Sequence, residues 1–145
     1  MKVKKKNLRF LPYSRQTIDK KDILAVNKVL KEDFITQGPN INEFEKNFAS
    51  YVGSKYAVAC ATGTAALHIA CQSLNLRKNG NLLTSPITFV ASANCAQFVG
   101  AKTNFADIDL DSYCMSPSSL EKILKKKKID VVVGVHMSGH SAKMQ

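Results

Sequence analysis

The residues best suited to chemistry form a threonine–glycine turn, Thr62-Gly63-Thr64, between a predicted strand and a predicted helix. The first turn of a helix exposes N–H groups without intrahelical partners at the positive end of the dipole, which favours an anion. Gly63 allows close approach to the backbone, and the two threonine hydroxyls add donors. The sequence contains neither G-x-x-x-x-G-K-[ST] nor G-x-G-x-x-G, which argues against nucleoside triphosphate and dinucleotide loops. Two interpretations remain: a site for a small phosphate monoester, or a plain structural turn.

A second chemical segment, Ser85-Pro86-Ile87-Thr88-Phe89-Val90-Ala91-Ser92, follows the next predicted strand. In open α/β sheets the strands end at one edge, where ligands bind, so we expect Phe89 near the threonine–glycine turn. Its ring could stack on a planar heteroaromatic ligand or pack in the core. Asp107 and Asp109 follow a third predicted strand, and we interpret them as solvated turn acids.

Two histidines, His136 and His140, lie just after the last predicted strand. A structural or catalytic zinc site needs three or four protein ligands, and no third ligand is near in sequence. We therefore predict no metal site.

The predicted secondary structure that positions these residues differs between the two parts of the chain, with helices alone first and alternating strands and helices afterwards. Asp19 is expected to cap a helix reaching about Lys31, and Asn40, paired with Glu43, to cap a second helix ended by Gly53. Strands and helices then alternate. The predicted strands are Tyr56–Cys60, Asn81–Thr84, Lys102–Ala106 and Ile129–Val135, and the predicted helices are Thr64–Leu74, Val90–Val99 and one opening at Ser116-Pro117. This order predicts an α/β fold with a mostly parallel sheet and helices on both faces.

Composition narrows the class of protein. Apolar residues make up 45% and charged residues 22%, as in globular proteins, and no apolar run approaches a membrane span or a signal-peptide core. The four cysteines form no C-x-x-C pair and suit buried thiols in a reducing compartment. We expect a cytoplasmic protein without a membrane partner.

The net charge of +10 raises the alternative of a basic module that binds nucleic acid. The basic excess lies in the N-terminal tail and in the run Lys125–Lys128, whereas residues 51–100 contain no Asp or Glu to repel a phosphate. The chain lacks the interleaved aromatic and basic residues of a stacking platform, so we rank nucleic acid far below a small anion.

Six collinear segments together resemble the DegT/DnrJ/StrS family of sugar aminotransferases. The resemblance runs from about Leu11 to Met144. It is carried by Pro12-Tyr13-Ser14-Arg15-Gln16, Phe34-Ile35-Thr36-Gln37-Gly38-Pro39, Thr62-Gly63-Thr64-Ala65-Ala66-Leu67, Ser85-Pro86-Ile87-Thr88-Phe89-Val90-Ala91, Phe105-Ala106-Asp107-Ile108 and Val135-His136-Met137-Ser138-Gly139-His140.

The resemblance implies a fold type I enzyme that uses pyridoxal 5′-phosphate. Residues 1–40 would form an N-terminal arm and helix, and residues 41–145 the first part of a three-layer large domain. It also implies that the cofactor phosphate binds to Gly63, Thr64 and Ala65, and that Phe89 stacks on the pyridine ring. The implied contacts to the sugar nucleotide are Tyr13, Asp33, Phe34, Ile35 and Thr36.

Within the family, the P-Y-S-R-Q and S-P-I-T-F-V-A segments favour the members that aminate a UDP-linked 4-keto-6-deoxy sugar for pseudaminic acid synthesis. The implied amino donor is glutamate, and family active sites lie between two subunits, so a homodimer is expected. The lysine that holds the cofactor and the aspartate that pairs with its ring nitrogen fall beyond residue 145. We therefore expect an incomplete large domain without transaminase activity of its own. Members with histidine in place of that lysine are dehydratases, and this alternative stays open.

Overall fold

The computed structural model describes Phe10, Pro12 and residues 14–144. The chain divides into two compact units, the first ending at Ala59 and the second beginning at Cys60. The domain boundary expected near residue 40 comes from the resemblance and stays a prediction.

The first unit contains helices α1 (Lys20–Val29) and α2 (Pro39–Val52). Asp19 caps α1 as predicted: its carboxylate accepts from the amides of Lys21 at 2.6 Å and Asp22 at 3.2 Å. In return, the Asp22 carboxylate accepts from the Asp19 amide at 2.8 Å. This reciprocal capping box satisfies amides that the helix itself cannot bond.

The start of α2 corrects one prediction. The cap residue is Gly38, with Pro39 in the first turn, and among the described residues no side chain caps this helix. Proline suits the first helical position because its missing N–H has no intrahelical partner there. Asn40 instead donates from its side chain to Glu32 Oε2 at 2.8 Å. Gly53 ends the helix with a positive φ of 69°, as expected.

The strand predicted at Tyr56–Cys60 is absent from the structure of these residues. The Ala59 amide donates to the Glu45 carboxylate at 2.7 Å, and the side chains of Tyr56 and Val58 are exposed. A strand needs a neighbouring strand for its hydrogen bonds, and in the part of the chain that is described none pairs with this segment.

The second unit holds the sheet. Its elements are α3 (Gly63–Ser73), β1 (Asn81–Thr84), α4 (Ala91–Phe98), β2 (Lys102–Phe105), α5 (Pro117–Leu124), β3 (Val131–Val133) and a short 3-10 helix (Met137–Gly139). The strands are parallel in the order β2-β1-β3, with Thr84 level with Phe105 and Val133.

The two faces of β1 build two halves of the core. Leu82 is fully buried in a cluster with Cys71 of α3 and Cys95 of α4. Leu83, on the opposite face, is fully buried with Met115, against which Leu120 of α5 packs. Helices therefore cover both sides of the parallel sheet, which confirms the predicted α/β architecture. Among the described residues, no helix is long and apolar enough to cross a membrane.

Candidate functional site

The start of α3 uses one of its free amides internally and leaves two. Thr62 has extended backbone angles, and its Oγ1 accepts from the Ala65 amide at 3.1 Å. Within the described chain, the amides of Gly63 and Thr64 donate to no protein acceptor. Two adjacent N–H groups at the positive end of a three-turn helix form an anion-binding position.

Space at Gly63 fits an incoming group. Apart from its neighbours in the turn and the backbone of its own helix, a Cβ placed on this glycine would meet no heavy atom of the described chain within 4 Å, so the space beside Gly63 is open. Gly63 does not need glycine for a left-handed backbone, because a positive φ is found at Gly53, Gly100 and Gly139 instead. The glycine is best explained by close approach of a ligand to the backbone.

Sequence reasoning missed the role of the Thr62 oxygen. The Thr62 hydroxyl was expected to contact an anion, whereas its oxygen caps the helix. The signal was present in the sequence, since a threonine three residues before Ala65 is a standard N-cap position.

Phe89 lies in the loop between β1 and α4, and its side chain is 74% exposed. Within the described chain, the ring is therefore not packed in the core. The loop itself is anchored: Thr84 and Ser85 are fully buried, and the Thr84 hydroxyl donates to the Val133 carbonyl at 2.9 Å. The hydroxyls of Thr88 and Ser92 lie 2.8 Å apart on either side of Phe89. An exposed aromatic ring on a fixed loop is a suitable stacking surface.

The topology brings Phe89 and Gly63 to the same end of the sheet. Phe89 follows the carboxyl end of β1. Helix α3 ends just before the loop that leads into the amino end of β1, and it packs against α4, which starts beside Phe89. The first turn of α3 is therefore at the far end of that helix, towards the carboxyl edge where α/β folds bind ligands.

The carboxylates of Asp107 and Asp109, which follow β2, accept hydrogen bonds within their own turn. Asp109 Oδ1 accepts from the amides of Asp111 and Ser112 and from the Ser112 hydroxyl, at 3.0 to 3.2 Å. These bonds, first those from Ser112, stabilise the carboxylate and lower the pKa of Asp109. Asp107 bonds the adjacent Ile108 amide at 2.8 Å. Both are turn acids, as interpreted from the sequence.

Of the two histidines after β3, His136 is engaged locally through its ring. His136 Nδ1 accepts from the Ala142 amide at 3.0 Å, and the His140 carbonyl accepts a weak bond from Cys114 Sγ at 3.5 Å. Over the described residues, no group of three or more candidate metal ligands is found.

The residues expected to contact a sugar nucleotide belong to the first unit. Asp33, Phe34, Ile35 and Thr36 are exposed in the loop between α1 and α2. This loop is tight, since a Cβ on Gly38 would lie 3.0 Å from Phe34 Cβ. Tyr13 lies outside the described residues.

The structure is an α/β domain in which the first turn of α3 leaves two amides unbonded among the described residues. Residues 16–145 match the DegT/DnrJ/EryC1/StrS aminotransferase family. The chain belongs to this family, which confirms the resemblance read from its motifs.

Two relatives illustrate the match. The spore coat polysaccharide biosynthesis protein SpsC of Bacillus subtilis (strain 168) is 39% identical over 98% of this chain. The UDP-4-amino-4,6-dideoxy-N-acetyl-beta-L-altrosamine transaminase of Campylobacter jejuni (strain ATCC 700819 / NCTC 11168) is 37% identical over 92% of it. In each case the chain spans 36% of the relative's length.

Solved structures agree with the fold. The putative sugar aminotransferase Spr1654 of Streptococcus pneumoniae, in its PLP form, matches 92% of this chain with a TM-score of 0.82 and 28% identity, over 34% of its own length. PseC of Helicobacter pylori, an aminotransferase involved in the biosynthesis of pseudoaminic acid, matches 91% of the chain with a TM-score of 0.80 and 29% identity, over 36% of its own length. The fold type I class is confirmed by these neighbours.

Proposed function

We propose that this chain supplies the phosphate- and ring-binding part of an aminotransferase that uses pyridoxal 5′-phosphate and acts on a nucleotide-linked keto sugar. The observation that carries the proposal is the first turn of α3, where the Gly63 and Thr64 amides are free and the space before them is open. When bound, pyridoxal phosphate supplies an electron sink that stabilises negative charge beside the transferred amino group.

The donor set fits a phosphate monoester. Two backbone amides and the Thr64 hydroxyl can donate to its oxygens, and hydrogen bonds to a charged acceptor are stronger than neutral ones. Ala65 belongs to the same turn, but its amide is already bonded to Thr62 Oγ1. Its proposed role is therefore to hold the turn through that cap. Phe89, exposed after β1, is proposed to cover the pyridine ring.

For the substrate we propose a UDP-linked 4-keto-6-deoxy sugar that is converted to a 4-amino sugar. This follows the names of the Campylobacter jejuni and Helicobacter pylori relatives. Its contacts are assigned to Tyr13 and to the exposed loop Asp33, Phe34, Ile35 and Thr36. We also propose glutamate as the amino donor and a homodimer as the working state. A cytoplasmic location belongs to the same proposal, and it is supported by the four free cysteines.

The test compares Gly63→Ala with the unchanged full-length protein. The added methyl group meets no protein atom, so folding should be unaffected while the phosphate is pushed away from the two amides. A hydrogen bond to a charged group contributes about 1.5–3 kcal/mol, which predicts affinity for pyridoxal phosphate lower by about tenfold to a hundredfold. Titration of the cofactor's absorbance measures this.

The control is Ser73→Ala at the other end of α3, where the hydroxyl donates to the Ala70 carbonyl of the same helix. It should leave affinity unchanged. Equal affinity of Gly63→Ala and the unchanged protein would remove the proposed phosphate site. Product analysis then tests the reaction: an amino sugar formed only with an amino donor supports transamination, and a sugar that has lost water in its place identifies a dehydratase.

A further inference from the structure

The edge of the sheet opposite the proposed cofactor site is built from three loops joined by hydrogen bonds. The Asn79 amide donates to the Gly100 carbonyl at 3.3 Å, and the Lys102 amide donates to the Gly80 carbonyl at 2.8 Å. The Asp130 amide donates to the Asn81 carbonyl at 2.9 Å. The loops before β1, β2 and β3 are therefore fixed to one another at the amino edge.

A groove of about 690 Å³ crosses this edge, and we call it the amino-edge groove. Its cations are Arg77, Lys78 and Lys128, all exposed. Lys102 begins the neighbouring strand, so its charge adds to the same edge. The turn acids Asp107 and Asp109 lie beyond the carboxyl end of β2, at the other edge. The amino edge therefore carries more cations than acids.

The one carboxylate in the groove is already engaged. Asp130 Oδ2 accepts from the Asn81 amide at 2.8 Å, and Oδ1 lies 3.7 Å from the Lys128 ammonium. Among the described residues, Arg77, Lys78 and Lys102 form no ion pair. Arg77 donates to the neutral Asn75 side chain at 3.1 Å, and its charge is uncompensated.

We infer that the amino-edge groove binds a linear phosphate polyanion. Clustered cations with few opposing acids raise the local concentration of anions. The groove is lined by no aromatic residue, so it offers no surface for stacking bases. Arg77 and Lys78 precede β1 and Lys128 precedes β3, so the cations lie on separate loops, and a flexible chain can fit its phosphates to them more readily than a rigid duplex or a bilayer. The inference is independent of the proposed aminotransferase function, because it concerns the opposite edge of the sheet.

The experiment measures binding of fluorescent inorganic polyphosphate to this chain by anisotropy at several salt concentrations. Each neutralised phosphate of a single-stranded polyanion contributes about 0.7 to the slope of log affinity against log salt. Contacts from Arg77, Lys78 and Lys128 predict a slope of about −2, or a roughly 20-fold loss of affinity between about 50 and 200 mM salt. Arg77→Gln/Lys78→Gln/Lys128→Gln should weaken binding and make this slope clearly shallower, with Lys102 left as the remaining cation of the edge.

A matched variant separates the groove from net charge. Lys20→Gln/Lys21→Gln/Lys46→Gln removes the same charge from exposed positions of α1 and α2 and should keep both affinity and slope. Asp130→Asn preserves an acceptor for the Asn81 amide while removing the negative charge, and should tighten binding by roughly twofold to fivefold. Thermal unfolding confirms that each variant is folded.

Several results would overturn the inference. Equal losses in the two triple variants would show that net charge alone attracts the polyanion. The same titrations are made with random-sequence duplex DNA and with vesicles of phosphatidylserine and phosphatidylcholine. A different partner would be identified if either bound as tightly as polyphosphate and depended in the same way on Arg77, Lys78 and Lys128. No measurable binding of polyphosphate at low salt would leave the groove as a solvated edge.

Discussion

Thr62 and Gly63 serve different purposes at the start of α3. Thr62 Oγ1 takes up the Ala65 amide at 3.1 Å and so fixes where the helix begins. Gly63 keeps the space before the next two amides open. A side-chain cap and an anion site are therefore compatible within one turn, because a helix start has more free amides than one cap can satisfy.

Phe89→Leu tests the stacking role at this site. The side chain is 74% exposed, so stability should change little. Aromatic stacking contributes about 0.5–1.5 kcal/mol beyond burial, and we expect pyridoxal phosphate to bind roughly twofold to tenfold more weakly to the full-length variant. Cofactor titration measures the change. Phe98→Leu, at the far end of α4, should leave cofactor affinity as it is; equal effects of the two substitutions would contradict stacking.

Cysteine reactivity should separate Cys60 from the other three. Cys60 is exposed, while Cys71, Cys95 and Cys114 are buried. Burial, with a smaller contribution from neighbouring Cys95, raises the pKa of Cys71 to about 11, so at about pH 8 only about one part in a thousand is the reactive thiolate. Iodoacetamide followed by peptide mass spectrometry should modify Cys60 first. In denaturant all four should react alike, and equally fast labelling of Cys71 in the folded protein would refute the burial.

Asp109 gives the turn after β2 a defined pH dependence. Bonds from Ser112 and Asp111 lower its pKa, so the stabilisation is complete above the unfolded value of about 3.9 and is lost as pH falls through the folded pKa. Carbon NMR titration of the Asp109 carboxyl should give a pKa below the unfolded value. Ser112→Ala removes the hydroxyl donor and should move this pKa upward; an unchanged value would contradict the cause assigned here.

Helix starts were predictable where the capping residue is close in sequence to the amides that it caps. Asp19, Thr62 and Ser116 each cap the helix that follows them, and each signal lies within four residues of sequence. The Asn40 prediction failed because Gly38 and Pro39 supplied a competing start two residues earlier. The strand at Tyr56–Cys60 failed for a different reason, since strand formation depends on a partner distant in sequence.

The capping box should decide the stability of α1, because this helix has no buried residue. Asp19→Ala removes the acceptor for the Lys21 and Asp22 amides and should cost α1 about 1 kcal/mol. Hydrogen exchange should therefore accelerate roughly fivefold at the Ile23 amide, which donates to the Asp19 carbonyl. Lys20→Ala, one residue further on, keeps the cap and should leave this exchange rate near that of the unchanged chain.

At the scale of the molecule, the arrangement of charge could not be read from the sequence. The run Lys125–Lys128 follows α5, and Lys125 pairs with Glu121 on that helix at 2.6 Å. Lys128 lies in the same groove as Arg77 and Lys78. This arrangement follows from the strand order β2-β1-β3, because that order brings together loops that are far apart in sequence. The open start of α3, by contrast, was predictable because the turn and the helix are contiguous in sequence there.

Association of this chain should depend on β3 and on salt. Val131–Val133 pairs with β1 on one side, and no other described strand covers its second side. Such an edge can pair with another copy, but the net charge of +10 opposes contact between copies. Raising salt from about 0.01 M to about 1 M shortens the screening length from about 30 Å to about 3 Å, so sedimentation velocity should show association increasing over that range.

Val132→Lys places a charge within the strand and should reduce association. Val58→Lys, in an exposed segment that forms no strand, changes net charge equally and should reduce association less. Equal effects of the two substitutions would mean that the β3 edge is not the contact.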